Sequence, residues 1–136
     1  MDFFFYGTLC DADVRRQVLG RDMPAAHIEN AVLAGFGAFF VAGAAYPTLV
    51  AREGGVTPGL LARHLGAADA ARLAAFEGAA YCIRNLTVTG RRSGQTNARV
   101  FVTRVWRRSD ARPWVLDDWQ RRFKRGFLTS VQFQRR

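Results

Sequence analysis

The sequence contains few of the residues that build disulfide frameworks or metal centres. Of its 136 residues only two are cysteines, Cys10 and Cys82, and only two are histidines, His27 and His64. Two cysteines do not make a disulfide framework, and no cysteine or histidine pair has the spacing of zinc ligands. We therefore expect a protein without a metal or cofactor, and a reducing cytoplasm as its compartment.

Long apolar runs are also missing. Glycine, proline or arginine interrupts each apolar stretch well before the roughly 20 residues that span a bilayer. The first residues lack the basic segment and small-residue cleavage site of a signal peptide, so we expect no leader and no membrane partner. Because 49% of the residues are hydrophobic, the chain has enough apolar side chains for one core, and we predict a single domain over residues 1–136.

Basic charge is concentrated in the last third of the chain. Residues 1–90 hold seven Arg against eight acidic residues, a net charge of −1, whereas residues 91–136 hold twelve Arg and one Lys against three Asp, a net charge of +10. Such a region can bind nucleic acid or another polyanion. However, nineteen of the twenty basic residues are Arg. This favours a general bias of the composition toward arginine, and thus a solvated basic face rather than a polyanion-binding site. No nucleic-acid-binding motif is present, so we do not expect nucleic acid as the partner.

The first half of the chain predicts strands and one short helix. The predicted elements are a strand from Met1 to Tyr6, a helix ending at Gly20, and strands from Ala31 to Ala42, Tyr46 to Val50 and Val56 to Leu61. Either Asp11 or Asp13 can cap the start of the helix. Residues 53–55 (EGG) predict a hairpin turn between the last two strands, and Gly35 and Gly37 predict a bulge or a close backbone approach.

The second half predicts a helix, a hairpin and a second helix. These are a helix from Ala67 to Phe76 that stops at Gly78, a hairpin over residues 81–106 with a polar turn at 91–97, and a helix from Trp114 to Phe127 with Pro113 in its first turn. One face of the last helix would carry Val115, Trp119, Phe123 and Phe127. Strands dominate, so the predicted class is α+β, with a strongly curved sheet or barrel and a few packed helices.

Two short motifs about seventy residues apart point to chemistry. Residues 3–9 (FFFYGTL) predict an apolar strand that breaks at Gly7 into a turn, where backbone N–H groups are available to a ligand. Residues 76–81 (FEGAAY) predict the end of a helix with Glu77 at its last position. A carboxylate can transfer protons and N–H groups can stabilise an oxyanion, so the motifs together indicate an acyl-transfer site.

These motifs resemble those of the gamma-glutamylcyclotransferase-like family, in its small bacterial and plant branch. The similar segments are Tyr6-Gly7-Thr8-Leu9 (the family's substrate loop), Tyr46-Pro47-Thr48-Leu49 (its second motif), Val56 with Gly59 (the opening of the next strand), and Phe76-Glu77-Gly78 with Tyr81 (its catalytic segment). No single segment is specific. Their order and spacing over roughly residues 3–106 are what identify the resemblance.

The resemblance implies a small mixed β-barrel that releases 5-oxoproline from a gamma-glutamyl amine or peptide, with no metal or cofactor. On that basis Glu77 corresponds to the catalytic glutamate, acting as general acid and base. The implied substrate-binding residues are Tyr6, Gly7, Thr8, Leu9, Cys10 and Asp11, with Tyr46 and Tyr81 either lining the pocket or packing in the core. One position departs from the family. The family often has Arg two residues after the tyrosine, where this chain has Ile83 and carries Arg84 one position later.

Two other functions remain open on the sequence alone. The same pocket can serve a non-catalytic module that binds a small amine or amino acid. An arginine surface can bind a polyanion, and its candidate residues are Arg91, Arg92, Arg104, Arg107, Arg108, Arg121, Arg122 and Arg125. The aromatic C-terminal helix is compatible with a monomer and with a homodimer.

Overall fold

A closed, mixed β-barrel forms the centre of the fold. The computed structural model describes residues 1–103 and 109–130. The strands of these residues are β1 (Phe3–Phe5), β2 (Ile28–Val41), β3 (Pro47–Ala62), β4 (Tyr81–Gly90), β5 (Gly94–Thr103) and β6 (Ser109–Pro113). The order β3-β1-β5-β4-β2 closes into a barrel because β2 also pairs with β3, and β6 extends the sheet beside β2. The β1–β5 pairing is parallel and the others are antiparallel. The predicted α+β class and small mixed barrel are confirmed.

The helices begin and end at residues suited to those positions. Within the described residues they are α1 (Ala12–Leu19), α2 (Ala67–Glu77), α3 (Leu116–Arg122) and α4 (Lys124–Leu128). Of the two possible caps of α1, Asp11 is the one used, since its carboxylate accepts the N–H groups of residues 13 and 14. Gly20 ends α1 with φ +77° and Gly78 ends α2 with φ +82°, as glycine allows. None of the helices in this part of the chain is long and apolar enough to cross a membrane.

Strand β1 separates the core into two layers. Phe4 belongs with Tyr6 to the cluster inside the barrel, whereas Phe3 and Phe5 belong to the cluster between the barrel and the helices. This follows from the alternation of side chains along a strand. All four rings are at most 6% exposed, and each fully buried aromatic side chain of this kind contributes roughly 1.5–3 kcal/mol. The strand is therefore buried on both faces, and its position fixes where the following loop leaves the barrel.

The predicted hairpin turn at residues 53–55 is wrong. Strand β3 runs unbroken through this segment, and the chain reverses at residues 42–46 instead. The register with β2 shifts between Ala34 and Phe36, so residues 52–55 form a bulge in β3. Gly35 lies at this irregularity with φ +87°, which confirms the bulge predicted there. Consecutive glycines suit a bulge as well as a reversal, so their presence alone did not distinguish the two.

The predicted hairpin over residues 81–106 is confirmed for its described part. Strands β4 and β5 pair along their whole length, and the turn occupies only residues 91–93. Residues 104–106 lie outside the described residues. Because β5 also contacts β1, this hairpin brings the chain back beside the first strand.

The predicted single helix from Trp114 to Phe127 is wrong. Pro113 ends β6 opposite Phe39, and the helical segment is divided into α3 and α4 at Phe123, whose φ of −126° is not helical. Proline suits a strand at a sheet edge as well as the first turn of a helix, because neither position needs a backbone N–H donor. Four residues are expected on one face of this helix. Trp119, Phe123 and Phe127 contact the core, whereas Val115 is exposed.

Gly59 lies where β3 passes too close to β1 for any side chain. A Cβ atom at this position would overlap the carbonyl oxygen of Phe5 and lie 2.7 Å from Cζ of Phe4. We expect Gly59→Ala to lower the free energy of unfolding by about 3 kcal/mol or more, because paired strand backbones cannot move apart without losing their hydrogen bonds.

Urea unfolding measures the change in the free energy of unfolding. Gly126→Ala in α4 is the control, since nothing lies within 4 Å of its Cβ, and it should be neutral or stabilise by up to about 1 kcal/mol. Equal stabilities of the two variants would contradict the prediction.

Candidate active site

The two sequence motifs meet at one cavity. It has a volume of about 320 Å³ and lies between the end of β1, the C-terminal end of α2 and the C-terminal helix α4. Seven of the nine predicted site residues line it, namely Tyr6, Gly7, Thr8, Leu9, Tyr46, Glu77 and Tyr81. Since the strand motif and the helix motif come from distant parts of the chain, the barrel is what brings them together.

The loop after β1 presents its backbone N–H groups at one end. After Gly7, residues Thr8–Cys10 form a single 3-10 turn, closed by hydrogen bonds of 3.0 Å from Cys10 N to Gly7 O and from Asp11 N to Thr8 O. The first N–H groups of such a turn find no carbonyl within the turn. Accordingly, within the described residues, the N–H groups of Gly7, Thr8 and Leu9 meet no protein acceptor. The loop can therefore donate hydrogen bonds to a ligand.

Packing leaves little space for a side chain at the start of this loop. A Cβ atom on Gly7 would lie 3.1 Å from Cγ of Pro47, which is tighter than ordinary contact. Pro47 also lines the cavity and is the first residue of β3. The small size of Gly7 in the loop is therefore suited to its contact with Pro47 of the second motif.

Glu77 places a carboxylate in a largely aromatic part of the cavity. It is the last residue of α2, it is partly buried, and Gly78 turns the chain away immediately after it. Phe76, Phe101 and Phe127 line the same cavity. A carboxyl group is thus placed beside apolar side chains, in the cavity that residues 7–9 of the loop also line.

Two tyrosines at the cavity donate hydrogen bonds to neighbouring strands. The Tyr6 hydroxyl donates a 2.7 Å hydrogen bond to the carbonyl of Phe101 in β5, and the Tyr81 hydroxyl donates a 2.9 Å bond to the carbonyl of the first residue of β3. Burial, followed by the nearby Tyr81 and the charge of Glu77, raises the pKa of Tyr6 well above its usual value. Tyr6 therefore stays protonated. Tyr46 lies at the rim, 43% exposed, with its ring edge-on to Tyr81 at 6.3 Å between centroids.

Two predicted substrate-binding residues, Cys10 and Asp11, are not among the residues that line this cavity. The Cys10 thiol donates a 3.1 Å hydrogen bond to the carbonyl of Phe5, and burial raises its pKa to about 12, so it stays protonated. Asp11 caps α1. Their contact with a substrate stays a prediction, and the structure gives both side chains other partners.

Asp11 joins the loop to the C-terminal helices. Its Oδ2 atom accepts a 2.8 Å hydrogen bond from Gln120 and lies 2.8 Å from the Lys124 ammonium, which also pairs with Asp13 at 2.8 Å. Burial raises the pKa of Asp11, but the hydrogen bonds from Lys124, Gln120 and the helix N–H outweigh it and hold that pKa below its usual value. Because α4 carries Phe127 into the cavity lining, this network positions one cavity wall.

Sequence reasoning missed the part of the cavity that the C-terminal half provides. Phe101, Phe127 and Ser130 all line it. The helical spacing of Phe127 indicated only a core or dimer contact, and nothing in the sequence distinguishes Ser130. Arg84, considered in place of the family's arginine, is exposed on β4 and does not line the cavity.

The remaining candidate chemistry lies elsewhere on the surface. Among the described residues, no group of three His, Cys, Asp or Glu side chains is arranged to hold a metal ion. The described arginines of the candidate polyanion surface lie on two separate parts of the chain, Arg91 and Arg92 in the β4–β5 turn and Arg121, Arg122 and Arg125 on α3 and α4, whereas Arg104, Arg107 and Arg108 lie outside the described residues. Arg92 pairs with Glu29 and Arg122 pairs with Asp118, each at 3.4 Å, so part of this positive charge is neutralised.

The chain is similar to one described protein family. The model of one family, described as gamma-glutamyl cyclotransferase, AIG2-like, matches residues 3–121. No curated protein matches the chain significantly.

Solved structures show the same fold. The solution structure of At5g39720.1 from Arabidopsis thaliana has a TM-score of 0.69 at 24% identity, over 93% of this chain and 85% of that one. The solution structure of At3g28950.1 from the same plant has a TM-score of 0.68 at 20% identity, over 98% and 79%. The crystal structure of YkqA from Bacillus subtilis has a TM-score of 0.63 at 20% identity, over 99% of this chain and 51% of YkqA. At these identities the likeness establishes the fold.

The Asp11 network makes stability depend on pH. Asp11→Asn keeps a helix-capping side chain but removes the charge. Because the pKa of Asp11 is lowered in the folded protein, its carboxylate contributes stability that is present above the unfolded pKa of about 4 and lost as the pH falls through the folded pKa. We expect the difference in unfolding free energy between wild type and Asp11→Asn to be largest at about pH 7 and to shrink at about pH 3.

Urea unfolding at several pH values tests this expectation. Asp22→Asn is the control, because Asp22 is exposed and its pair with Arg16 is 3.5 Å long, so its effect should be small at each pH. A difference for Asp11→Asn that does not change with pH would count against the assigned role of the charge.

Proposed function

The chain belongs to the AIG2-like gamma-glutamyl cyclotransferase family, and we propose that it releases 5-oxoproline from a gamma-glutamyl amine or peptide. Family membership supports a cyclotransferase-like activity on a small-molecule substrate. One observation carries the finer proposal, which is that Glu77 lines the same cavity as residues 7–9, whose N–H groups meet no protein acceptor among the described residues. A proton carrier and oxyanion donors in one cavity are what this cyclisation needs.

The first step is deprotonation of the substrate. Its α-amino group must attack its own γ-carbonyl carbon, and an ammonium group has no lone pair for that attack. We assign the Glu77 carboxylate as the general base that accepts the proton. General bases act over hydrogen-bonding distance, so the substrate amine is expected beside the end of α2. The neighbouring phenylalanine rings give this carboxylate partly apolar surroundings.

The second step is ring closure. The α-nitrogen forms a bond to the γ-carbon, and the carbonyl oxygen acquires the negative charge of a tetrahedral intermediate. We assign the N–H groups of Gly7, Thr8 and Leu9 as donors to this oxyanion. Removing one such donor from an enzyme typically costs on the order of 3 kcal/mol of transition-state stabilisation. The cavity also holds the substrate folded, so the two reacting atoms are already close.

The third step is release of the amine. The bond between the γ-carbon and the leaving nitrogen breaks, and the electron pair stays on that nitrogen. Protonated Glu77 returns its proton to the leaving amine, which regenerates the carboxylate. Ring closure leaves the α-nitrogen with two protons and a positive charge, so the regenerated Glu77 carboxylate accepts the second of these and passes it to the released amine. The α-nitrogen thus loses two protons and the leaving nitrogen gains two, and the products are 5-oxoproline and the amine in its ammonium form.

The tyrosines have supporting roles in this proposal. The hydroxyls of Tyr6 and Tyr81 both donate to backbone carbonyls, so they fix the strands around the substrate. Tyr46 is at the exposed rim and is placed to contact the part of the substrate that extends out of the cavity.

Replacement of Glu77 tests the proposal. We expect wild type to release 5-oxoproline from at least one member of a panel of gamma-glutamyl amino acids, peptides and amines. Glu77→Gln keeps the size of the side chain but cannot accept the proton, so kcat/KM should fall by a factor on the order of 10² to 10⁴. Mass spectrometry quantifies 5-oxoproline, and circular dichroism verifies that each variant is folded.

Glu53→Gln is the matched control. Glu53 is exposed in β3 and does not line the cavity, so its replacement should leave turnover unchanged. Full turnover by Glu77→Gln would remove Glu77 from the chemistry. Binding of a panel compound by calorimetry with no product from wild type would favour a non-catalytic binding module instead.

A further inference from the structure

The carbonyl side of the substrate loop is held by one arginine. Arg15 lies on α1, and its Nη1 atom donates a 3.0 Å hydrogen bond to the carbonyl of Leu9 and a 2.8 Å bond to the carbonyl of Cys10. We propose that Arg15 is a positioning residue that strengthens the oxyanion donors through the backbone of the loop. This inference rests on the proposed function, since it gives the loop its role as oxyanion donor.

The first connection runs from Arg15 to the N–H group of Thr8. The peptide unit that carries the Leu9 carbonyl also carries the Cys10 N–H, which donates a 3.0 Å hydrogen bond to the carbonyl of Gly7. The peptide unit with the Gly7 carbonyl in turn carries the Thr8 N–H. Two hydrogen bonds in series therefore link the guanidinium to one donor at the cavity.

The second connection runs in the same way to the N–H group of Leu9. The peptide unit with the Cys10 carbonyl carries the Asp11 N–H, which donates a 3.0 Å bond to the carbonyl of Thr8. The unit with the Thr8 carbonyl carries the Leu9 N–H. One nitrogen atom of Arg15 thus reaches two of the three proposed oxyanion donors.

Hydrogen bonds in series polarise one another. A charged donor draws electron density through each peptide unit and makes the terminal N–H group a stronger donor. Arg15 is partly buried, so its charge is screened less than that of a solvated side chain. The same two bonds also fix the orientation of the peptide units, which keeps the donors aimed without reorganisation during the reaction.

The environment of Arg15 leaves its charge available to the loop. Among the described residues it takes part in no ion pair, although Cys10, Asp11 and Asp22 are the titratable groups that influence it. Its neighbour Arg16 pairs with Asp13 at 2.7 Å and with Asp22 at 3.5 Å. Arg16 is exposed and contacts no part of the loop backbone, so it is a matched control on the same helix.

Steady-state kinetics of Arg15 variants tests the inference. Arg15→Met removes the charge and both donors, and we expect kcat to fall roughly 3- to 30-fold, the effect of weakening two oxyanion donors by a fraction of their strength. KM should change by less than about twofold, because the interaction is stronger with the oxyanion than with the neutral carbonyl. Arg15→Lys keeps the charge and should recover most of the loss, whereas Arg16→Met should behave as wild type.

A spectroscopic readout does not depend on turnover. Polarised N–H protons are deshielded, so the amide proton resonances of Thr8 and Leu9 should move upfield in Arg15→Met and stay in place in Arg16→Met. If Arg15→Met does not fold, Arg15→Lys and Arg15→Gln form the decisive pair, since they differ in charge. Equal kcat and equal amide shifts in that pair would overturn the inference.

The outcomes separate this inference from the proposed function. Turnover by wild type with undiminished kcat in folded Arg15→Met would overturn the role of Arg15 and leave the cyclotransferase proposal in place. Absence of turnover by wild type on every panel compound would overturn the proposed function together with the catalytic role of Arg15. A kcat loss with parallel upfield shifts of Thr8 and Leu9 would support the inference.

Discussion

The carboxylate of Asp11 is the contact on which the arrangement of the site depends. One of its oxygen atoms caps α1 directly after the loop of residues 7–10, and the other is bound by Gln120 and Lys124 from the last two helices. Hydrogen bonds to ionised groups are stronger than neutral ones. The position of the loop and the position of the cavity wall at Phe127 are therefore set by the same side chain, although neither oxygen of Asp11 belongs to the cavity.

Much of the fold and of the candidate site was predictable because steric constraints leave local marks in the sequence. A Cβ at Gly7 would be in tight contact with Pro47, and one at Gly59 would overlap the backbone of β1. A glycine, a proline and an apolar run at the right spacing therefore identify the loop and the strands around it. Glu77 is identified by its place before Gly78, where the backbone requirement for glycine ends the helix.

The parts that were not predictable depend on contacts between distant residues. Asp11 follows the loop motif directly, so a substrate contact was the natural interpretation, but its partner Gln120 lies 109 positions later in the chain. The wall formed by Phe127 and Ser130 likewise exists only because α4 folds back onto the barrel. The glycines at residues 54 and 55 allow a bulge as well as a reversal, and only the pairing of β3 with the whole of β2 decides between them.

A 3-10 turn suits this site because, within the described residues, it has free N–H groups at one end and carbonyl groups that Arg15 can bind at the other. Its N–H end borders the cavity beside Glu77, and its carbonyl end is bound by Arg15. In a longer helix the terminal groups would be further apart, whereas here the N–H groups of Thr8 and Leu9 are each a single hydrogen bond away from a carbonyl that the guanidinium binds. On the proposed mechanism, the backbone supplies fixed dipoles for the oxyanion and leaves proton transfer to one side chain. Dipoles that are already oriented need no reorganisation as charge develops, which is the physical reason to build the oxyanion site from a turn anchored at its opposite end.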